Sequence, residues 1–357
     1  MDERTLLLNV LKVFGLSAAS FFIAFLFAPL LTHYLYKYKL WVKKHDRKDL
    51  HNKEAPVVAE LTKNRGAINT PYMGGILVWG TTLALALLFF ALSGMFDGTV
   101  LQKINFLSRN QTWLPLTALV AASLVGFADD WFTVTSKDGS RGKGLNFKTR
   151  AGIVLCIGLV GALWFYGPLE TDSVRVPFVG DVKLGVLFIP FFMLVMLAVF
   201  AGGVIDGLDG LAGGVFASII AAYGGIAYFQ AQLDLAAFLG VMGGALLAFL
   251  WFNIPPARFY MGETGMLGLT TTLTIVAFLT EAVAVLPIIA FPLVLEVASN
   301  IVQIFSKKFR GKKTFLAAPI HHHLEAIGWP HYKITMRFWV VSVVAALTGM
   351  VIHIVGN

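Results

Sequence analysis

Four groups of ionisable side chains interrupt a chain that is otherwise strongly apolar. They are an adjacent acidic pair, a second acidic pair, a single glutamate in a glycine turn and a histidine triplet: Asp129 and Asp130; Asp206 and Asp209; Glu263; and His321, His322 and His323. Carboxylates are ligands that Mg²⁺ prefers, and this ion can neutralise the charge that builds on a phosphate leaving group. We therefore expect phosphoryl-transfer chemistry that depends on Mg²⁺.

Each acidic group also has a purely structural explanation. Asp129 and Asp130 could end a surface helix, although aspartate is unfavourable at a helix C-terminus. Asp206 and Asp209 could cap a helix N-terminus, or share a helix face beside glycines that let a ligand approach. Glu263 alone is weak evidence, but its flanking glycines suit a metal-binding turn. We favour function because all three groups border apolar spans, where charge is costly.

The histidine triplet does not indicate a zinc site. Three neighbouring histidines cannot all bind one ion, and the sequence nearby supplies no CxxC or HxxxH partner. Imidazoles beside Lys312 and Lys313 are better suited to holding phosphate oxygens. The triplet therefore agrees with the acidic groups in favouring a phosphate-containing substrate.

Composition assigns the class of protein. The chain has 357 residues, of which 57% are hydrophobic and 13% charged, whereas soluble domains carry about 25% charged residues. We expect an all-α polytopic integral membrane protein in which residues 1–357 form a single transmembrane domain in the lipid bilayer. The net charge of +8 does not indicate nucleic acid as a partner, because the basic residues flank apolar spans.

About ten segments are candidate transmembrane helices, since a helix needs about 20 apolar residues to cross a bilayer. They lie near 13–35, 74–96, 113–129, 151–167, 185–204, 211–229, 235–252, 265–280, 282–305 and 335–355. The eighth is rich in threonine and gives the weakest signal. Alternating apolar and polar residues over 171–185 predict a short periplasmic β-hairpin.

Lysine and arginine predict the orientation of the loops. All but six of the 28 basic residues fall on one side, the exceptions being Arg4, Lys12, Lys103, Arg109, Arg175 and Lys183. We expect the richer side to be cytoplasmic and both termini to lie outside. The ionisable groups lie on the same side, so the loops there are predicted to form the active-site face: 37–72, 130–150, 205–210, 253–264 and 306–334.

Residue chemistry alone indicates a Mg²⁺-dependent transfer that involves a phosphate and a lipid. A secondary transporter is the alternative from another functional class. It would carry its charged residues near the middle of the membrane, whereas these groups lie at one face.

Five motifs resemble those of a known family. "TPYMGGIL", "GFADDW", "DGLDGLA", "YMGETG" and "APIHHHLEAIGW" occur in the order and spacing of the phospho-N-acetylmuramoyl-pentapeptide transferases. This is the bacterial translocase I branch of the polyprenyl-phosphate N-acetylhexosamine-1-phosphate transferase superfamily, and the "APIHHH" element is specific to it. The resemblance spans nearly the whole chain.

The resemblance implies an activity. Members of the family move phospho-MurNAc-pentapeptide from UDP-MurNAc-pentapeptide to undecaprenyl phosphate, which gives lipid I and UMP for peptidoglycan synthesis. They use Mg²⁺, have ten spans and a cytoplasmic active site in the bacterial inner membrane, and commonly form a homodimer.

The resemblance also implies roles for matching residues. Asp129 and Asp130 would contact or deprotonate the lipid phosphate, or attack the diphosphate directly, so one-step and two-step routes both stay open. Glu263 and His321–His323 would complete the catalytic set, and Glu263 with Asp206 would hold the metal. The remaining matches would bind substrate: Asp206, Gly207, Leu208, Asp209, Asn253, Tyr260 and Lys63.

The chain departs from the family pattern at several site positions. Glu263 stands where an aspartate is usual, and Phe200, Gly203 and Met266 replace two asparagines and a serine. Two alternatives are therefore kept beside lipid I synthesis. One is a related transferase with another UDP-sugar, and the other is a degenerate homologue that acts as a membrane scaffold.

Overall fold

The structure, a computed structural model, describes residues 3–41, 69–96, 100–108, 111–135 and 144–357. Its helices are α1 Glu3–Val10, α2 Leu16–Lys37, α3 Ile76–Met95, α4 Val100–Ile104, α5 Trp113–Thr135, α6 Phe147–Tyr166, α7 Phe188–Gly202, α8 Leu211–Phe229, α9 Leu233–Asn253, α10 Gly262–Leu279, α11 Leu286–Ile289, α12 Phe291–Arg310, α13 Ile320–Ala326 and α14 His331–Gly356. A π-helical turn, Leu11–Gly15, joins α1 to α2. The predicted all-α class is confirmed.

Nine helices in the described ranges are long and apolar enough to cross a membrane. They are Thr5–Lys37, Ile76–Met95, Trp113–Thr135, Phe147–Tyr166, Gly185–Ile205, Leu211–Phe229, Leu233–Asn253, Gly262–Leu279 and His331–Gly356. The polytopic prediction is therefore confirmed, and the threonine-rich eighth span is the deeply buried α10. Two of its hydroxyls donate to carbonyls within the helix, from Thr270 Oγ1 to Met266 O at 2.7 Å and from Thr274 Oγ1 to Thr270 O at 3.2 Å.

The predicted ninth span differs from the others. It is divided into the short α11 and the longer α12, which begins at Phe291 with Pro292 in its first turn. Proline lacks an N–H and disfavours a continuous helix at this point. Polar residues line the buried side of α12, among them Glu296 and Gln303, while Phe305 and Phe309 are exposed on it. This buried polar side explains why α12 is less apolar than the nine candidate membrane-spanning helices.

Both ends of the chain lie at one face of the bundle. Near the start, Lys12 forms an ion pair with Asp234, at the beginning of α9. Near the end, His353 Nε2 lies 3.1 Å from Gln230 Nε2, just beyond α8. Helices α8 and α9 are joined at this face, so the two ends share it. An even number of crossings follows, and among the described residues α11 with α12 adds one crossing to the nine helices.

The predicted β-hairpin is present at this same face. Strands β1 Ser173–Val176 and β2 Gly180–Lys183 are antiparallel, and Ser173 pairs with Lys183. The Phe178 N–H donates to the Gly356 carbonyl at 2.8 Å, which holds the hairpin against the end of α14. Arg175 braces it further through Asp181 at 2.9 Å and Glu281 at 3.0 Å.

This arrangement predicts which positions share a side of the membrane. In a Cys156→Ser background, cysteines introduced at Asp181 and Asn357 should react alike with a membrane-impermeant thiol reagent added to intact cells. A cysteine at Lys308, near the end of α12, should react only after the membrane is opened. Equal labelling of Lys308→Cys and Asp181→Cys in intact cells would contradict the predicted even number of crossings.

Candidate active site

Asp130 joins helix α5 to the first turn of helix α10. Its carboxylate is buried and accepts three hydrogen bonds: from the Glu263 N–H at 3.2 Å, the Thr264 N–H at 2.9 Å and the Thr264 hydroxyl at 2.7 Å. The first N–H groups of a helix lack partners within the helix, and an acidic side chain there also interacts well with the helix dipole. Asp130 therefore caps α10 from another helix and fixes the backbone of Glu263.

Two glycines allow this close approach. Gly262 has φ +69°, a conformation that other residues adopt at a cost, and a Cβ there would lie 2.3 Å from Asp130 Oδ2. On α5, a Cβ at Gly126 would lie 2.0 Å from the Glu263 carbonyl oxygen. Larger residues at either position would force the two helices apart.

Glu263 and Asp129 meet at one guanidinium group. Arg150 Nη1 is paired with Glu263 Oε1 and lies 3.6 Å from Asp129 Oδ2. The other Asp129 oxygen accepts from the Leu145 N–H, in the segment that leads into α6. Sequence reasoning counted Arg150 only as one positive charge in a loop. A signal for its role was available, because Arg150 is the fourth residue of the helix that follows the acidic pair.

Each acid of the second pair accepts a hydrogen bond from a backbone N–H. Asp206 Oδ2 accepts from the Gly262 N–H at 3.2 Å, so it lies beside the turn that carries Glu263. Asp209 Oδ2 accepts from the Ala257 N–H at 3.0 Å. These bonds tie the "DGLDG" segment to the loop between α9 and α10, and they bring Asp206 within one residue of the predicted metal-binding glutamate.

Asn253 ties the same two segments together. Its buried side-chain oxygen accepts from the Gly210 N–H at 2.9 Å, and its amide nitrogen donates to the Phe259 carbonyl at 2.8 Å. Both ends of the amide are therefore engaged with backbone. In this structure Asn253, predicted to bind substrate, positions the loops around the site.

Tyr260 presents a partly exposed ring beside the other predicted binding residues. Its N–H donates to the Pro71 carbonyl, and its carbonyl accepts from the Gly74 N–H, both at 2.8 Å. The ring centroid lies 5.4 Å from that of Tyr72. The "TPYMGG" motif thus supports the ring predicted to stack on a nucleobase. Lys63, the remaining predicted binding residue, lies outside the described residues.

The three histidines have different environments. His321 is fully buried, with Nδ1 2.9 Å from Glu296 Oε2 on α12. His322 Nδ1 lies 3.3 Å from Glu325 Oε2, and His323 Nδ1 accepts from the Leu316 N–H at 3.3 Å. Because a carboxylate at Nδ1 fixes which nitrogen carries the proton, Glu296 orients His321. Sequence reasoning missed Glu296, although a lone glutamate in an apolar span was a signal.

His321 reaches the second acidic segment. A Cβ at Gly207 would lie 2.3 Å from His321 Nε2, so the imidazole packs directly on the backbone of the "DGLDG" segment. Leu208, the next residue, is 3% exposed. The acidic groups and the first histidine, distant in sequence, therefore meet at one end of the bundle, opposite the two chain ends.

The acidic groups suit Mg²⁺, which substrate phosphates help to hold, better than they suit a metal ion that is bound by protein ligands alone. Within the described residues, no three His, Cys, Asp or Glu side chains are arranged to hold an ion. Mg²⁺ is usually held by one or two carboxylates together with substrate phosphates. Glu263 is one-third exposed and has Asp129 and Asp206 around it, which fits such a site.

Comparisons with known proteins identify the family. The model of glycosyl transferase family 4 matches residues 112–281, which include both acidic pairs, Arg150 and Glu263. A phospho-N-acetylmuramoyl-pentapeptide-transferase of Chloroflexus aurantiacus is 34% identical over 299 residues, 79% of this chain and 77% of the relative. One from Ruegeria pomeroyi is 34% identical over 304 residues, 79% of each chain.

The chain belongs to the phospho-N-acetylmuramoyl-pentapeptide-transferase family. The resemblance drawn from the five motifs is confirmed, and the family assignment covers the segments that contribute Asp130, Arg150 and Glu263. The histidines and Glu296 lie beyond the part matched by the glycosyl transferase family 4 model.

The cap on α10 yields a stability prediction. In either orientation of the amide, Asp130→Asn sets an NH₂ group against a donor, the Glu263 N–H or the donors of Thr264, so we expect a loss of about 1–3 kcal/mol in stability. The melting temperature in detergent should fall, and activity with it. Asp129→Asn is the matched control, since its remaining oxygen can still accept from Leu145. An Asp130→Asn protein as heat-stable as the wild type would refute the capping role.

Proposed function

We propose that this chain transfers phospho-MurNAc-pentapeptide from UDP-MurNAc-pentapeptide to undecaprenyl phosphate, forming lipid I and UMP. Membership of the family supports this reaction, because both similar relatives carry that transferase name. The observation that carries the proposal is the Asp130 cap, which places Glu263 beside Asp129 and Asp206 at one end of a membrane-embedded bundle. A reaction between a lipid and a soluble nucleotide requires a site at such a boundary.

The reaction exchanges one phosphoanhydride bond for another. A phosphate oxygen of the lipid attacks the phosphorus attached to the sugar, and the bond from that phosphorus to the UMP oxygen breaks. Negative charge builds on the leaving UMP. When bound at Glu263, with Asp206 beside it, Mg²⁺ would neutralise this charge.

We assign different roles to the two adjacent acids. Both oxygens of Asp130 are engaged by the first turn of α10, so its role in the reaction is to position Glu263. Asp129 faces Arg150 and Glu263 and is the better candidate to orient the acceptor phosphate or take its proton. This division argues against Asp130 as a nucleophile, because both of its oxygens accept hydrogen bonds from α10.

The nucleotide end of the donor would lie along the "DGLDG" segment. The Tyr260 ring offers a stacking surface for the base, and Asp206 and Asp209 hold the surrounding backbone in place. His321, oriented by Glu296 and packed on Gly207, would face the donor from the other side. His322 and His323 complete the proposed histidine set.

We place the site on the cytoplasmic side of the bacterial inner membrane, where the UDP-linked donor is made. The abundance of basic residues in the loops at this end supports the placement. The homodimer and the undecaprenyl acceptor are carried over from the family resemblance.

Release of UMP tests the proposal directly. Purified protein in detergent, given UDP-MurNAc-pentapeptide, undecaprenyl phosphate and Mg²⁺, should release UMP, and omission of either the lipid or the metal should stop it. A panel of other UDP-sugars should give little product. Release of UMP from another UDP-sugar alone would show a different transferase, and no release from any donor would indicate a degenerate homologue.

Glu263 variants test the proposed metal ligand. Glu263→Gln should lower kcat by about a hundredfold or more, because metal stabilisation of the transition state is worth several kcal/mol. Glu263→Asp keeps the carboxylate and should retain most of the activity, with a changed Mg²⁺ requirement. Equal activity of Glu263→Gln and the wild type at limiting Mg²⁺ would exclude Glu263 as a ligand.

A further inference from the structure

Arg150 occupies the centre of the acidic site. It is the fourth residue of α6, and its guanidinium is paired with Glu263 and lies 3.6 Å from Asp129. Its side chain is only 22% exposed, and its Nε atom is buried without a hydrogen-bond partner among the described residues. One N–H of this guanidinium is therefore available to an additional acceptor.

The start of α6 is anchored, so the position of Arg150 is not accidental. Asn146 caps the helix by accepting from the Thr149 N–H at 2.8 Å. The residue before it, Leu145, donates to Asp129. A Cβ at Gly144 would lie 2.6 Å from the same Asp129 oxygen, so this segment packs tightly on the acid. Asp129 and Arg150 are thus held together by the backbone between them.

The guanidinium and a divalent cation would compete for the same oxygens. Glu263 and Asp129 are close enough to repel each other, and a positive charge between them removes that repulsion. Arginine keeps its charge at all ordinary pH values, so it can release the carboxylates only by moving. Binding of a metal ion at Glu263 Oε1 would therefore displace Arg150 from that oxygen.

A diphosphate offers Arg150 a better partner. Guanidinium groups bind phosphate oxygens through two parallel hydrogen bonds, and such bonds are stronger than those between neutral groups. The donor proposed above brings two phosphates to this site. The Arg150 guanidinium could then pair with the diphosphate while Glu263 binds the metal.

We infer that Arg150 is the resident counter-ion of the Glu263–Asp129 pair. The divalent cation displaces the guanidinium from these carboxylates, and the guanidinium then binds the diphosphate of the donor. This inference rests on the proposed function, because that function supplies the metal and the diphosphate. It predicts that metal alone binds weakly and that metal and nucleotide bind cooperatively. By linkage, each must strengthen the binding of the other by the same factor.

Mn²⁺ binding tests the inference without any catalysis. Binding to the full-length protein in detergent is measured from the EPR signal of free Mn²⁺, with no nucleotide present. Arg150→Gln should bind Mn²⁺ about tenfold more tightly than the wild type, because the variant lacks the positive charge that competes with the ion for the carboxylates. A variant damaged only in its structure would bind the ion more weakly.

Lys148→Gln is the matched control. Like Arg150→Gln, it removes one positive charge, but from an exposed position two residues before Arg150 on the same helical turn. Its Mn²⁺ affinity should equal that of the wild type, which separates a local competition from a general change in charge. An equal gain in both variants would overturn the inference.

Added UDP tests the second half of the inference. After correction for Mn²⁺ bound by UDP in solution, UDP should raise the Mn²⁺ affinity of the wild type about tenfold. In Arg150→Gln this effect should be smaller, because the contribution of the displaced guanidinium is gone and only direct contact between the metal and the phosphates remains. Undiminished coupling in Arg150→Gln would overturn the inference.

A conservative variant covers the case in which Arg150→Gln does not fold, as judged by its melting temperature. Arg150→Lys keeps the charge but loses the forked donors, so it should bind Mn²⁺ like the wild type and show reduced coupling to UDP. Undiminished coupling there would also refute the proposal.

Failure of the wild type to release UMP would count against the proposed function alone, whereas UMP release with unchanged Mn²⁺ affinity in Arg150→Gln would count against this inference alone.

Discussion

The carboxylate of Asp130, held by the first turn of α10, is the contact on which the geometry of the site depends. It accepts from the backbone of Glu263 and from both donors of Thr264. Because Gly262 lacks a side chain, Asp130 approaches that turn closely. The direction of the Glu263 side chain follows from this contact, and the Gly262 N–H draws in Asp206 from a third segment. Acids far apart in sequence are brought together by hydrogen bonds to backbone, which need no metal.

The polar residues at this end of the bundle fall into two kinds. Asn253, Asp209 and Glu296 are engaged with backbone or with another side chain, and they hold the loops in place. Glu263 and Asp129 instead meet at the Arg150 guanidinium, which we propose is displaced by a divalent cation. A rigid frame therefore surrounds a small set of exchangeable charges. Such an arrangement suits transfer between two phosphates, where positioning and electrostatics supply most of the catalysis.

Much of the fold could be predicted from the sequence, because apolar length alone determines which segments cross a membrane. The motifs also identified the acids that meet. The sequence could not show that neighbours in the chain have different partners. Asp129 and Asp130 are adjacent, yet on a helix they point about 100° apart and contact different elements. The Arg150–Glu263 contact joins residues 113 positions apart, and local spacing does not predict such a pair. The break before α12 depended on one proline in an otherwise apolar segment.

The most direct test of this account is an experimental structure of the protein with Mn²⁺ and UDP, in which the ion is located by its anomalous scattering. We predict a Glu263 oxygen about 2.1 Å from the metal, the range expected for Mg²⁺ and its substitutes. Asp130 should remain hydrogen-bonded to Thr264 in that complex. An ion bound by Asp130, with the Thr264 contacts broken, would contradict the central claim that Asp130 is the fixed support of the site.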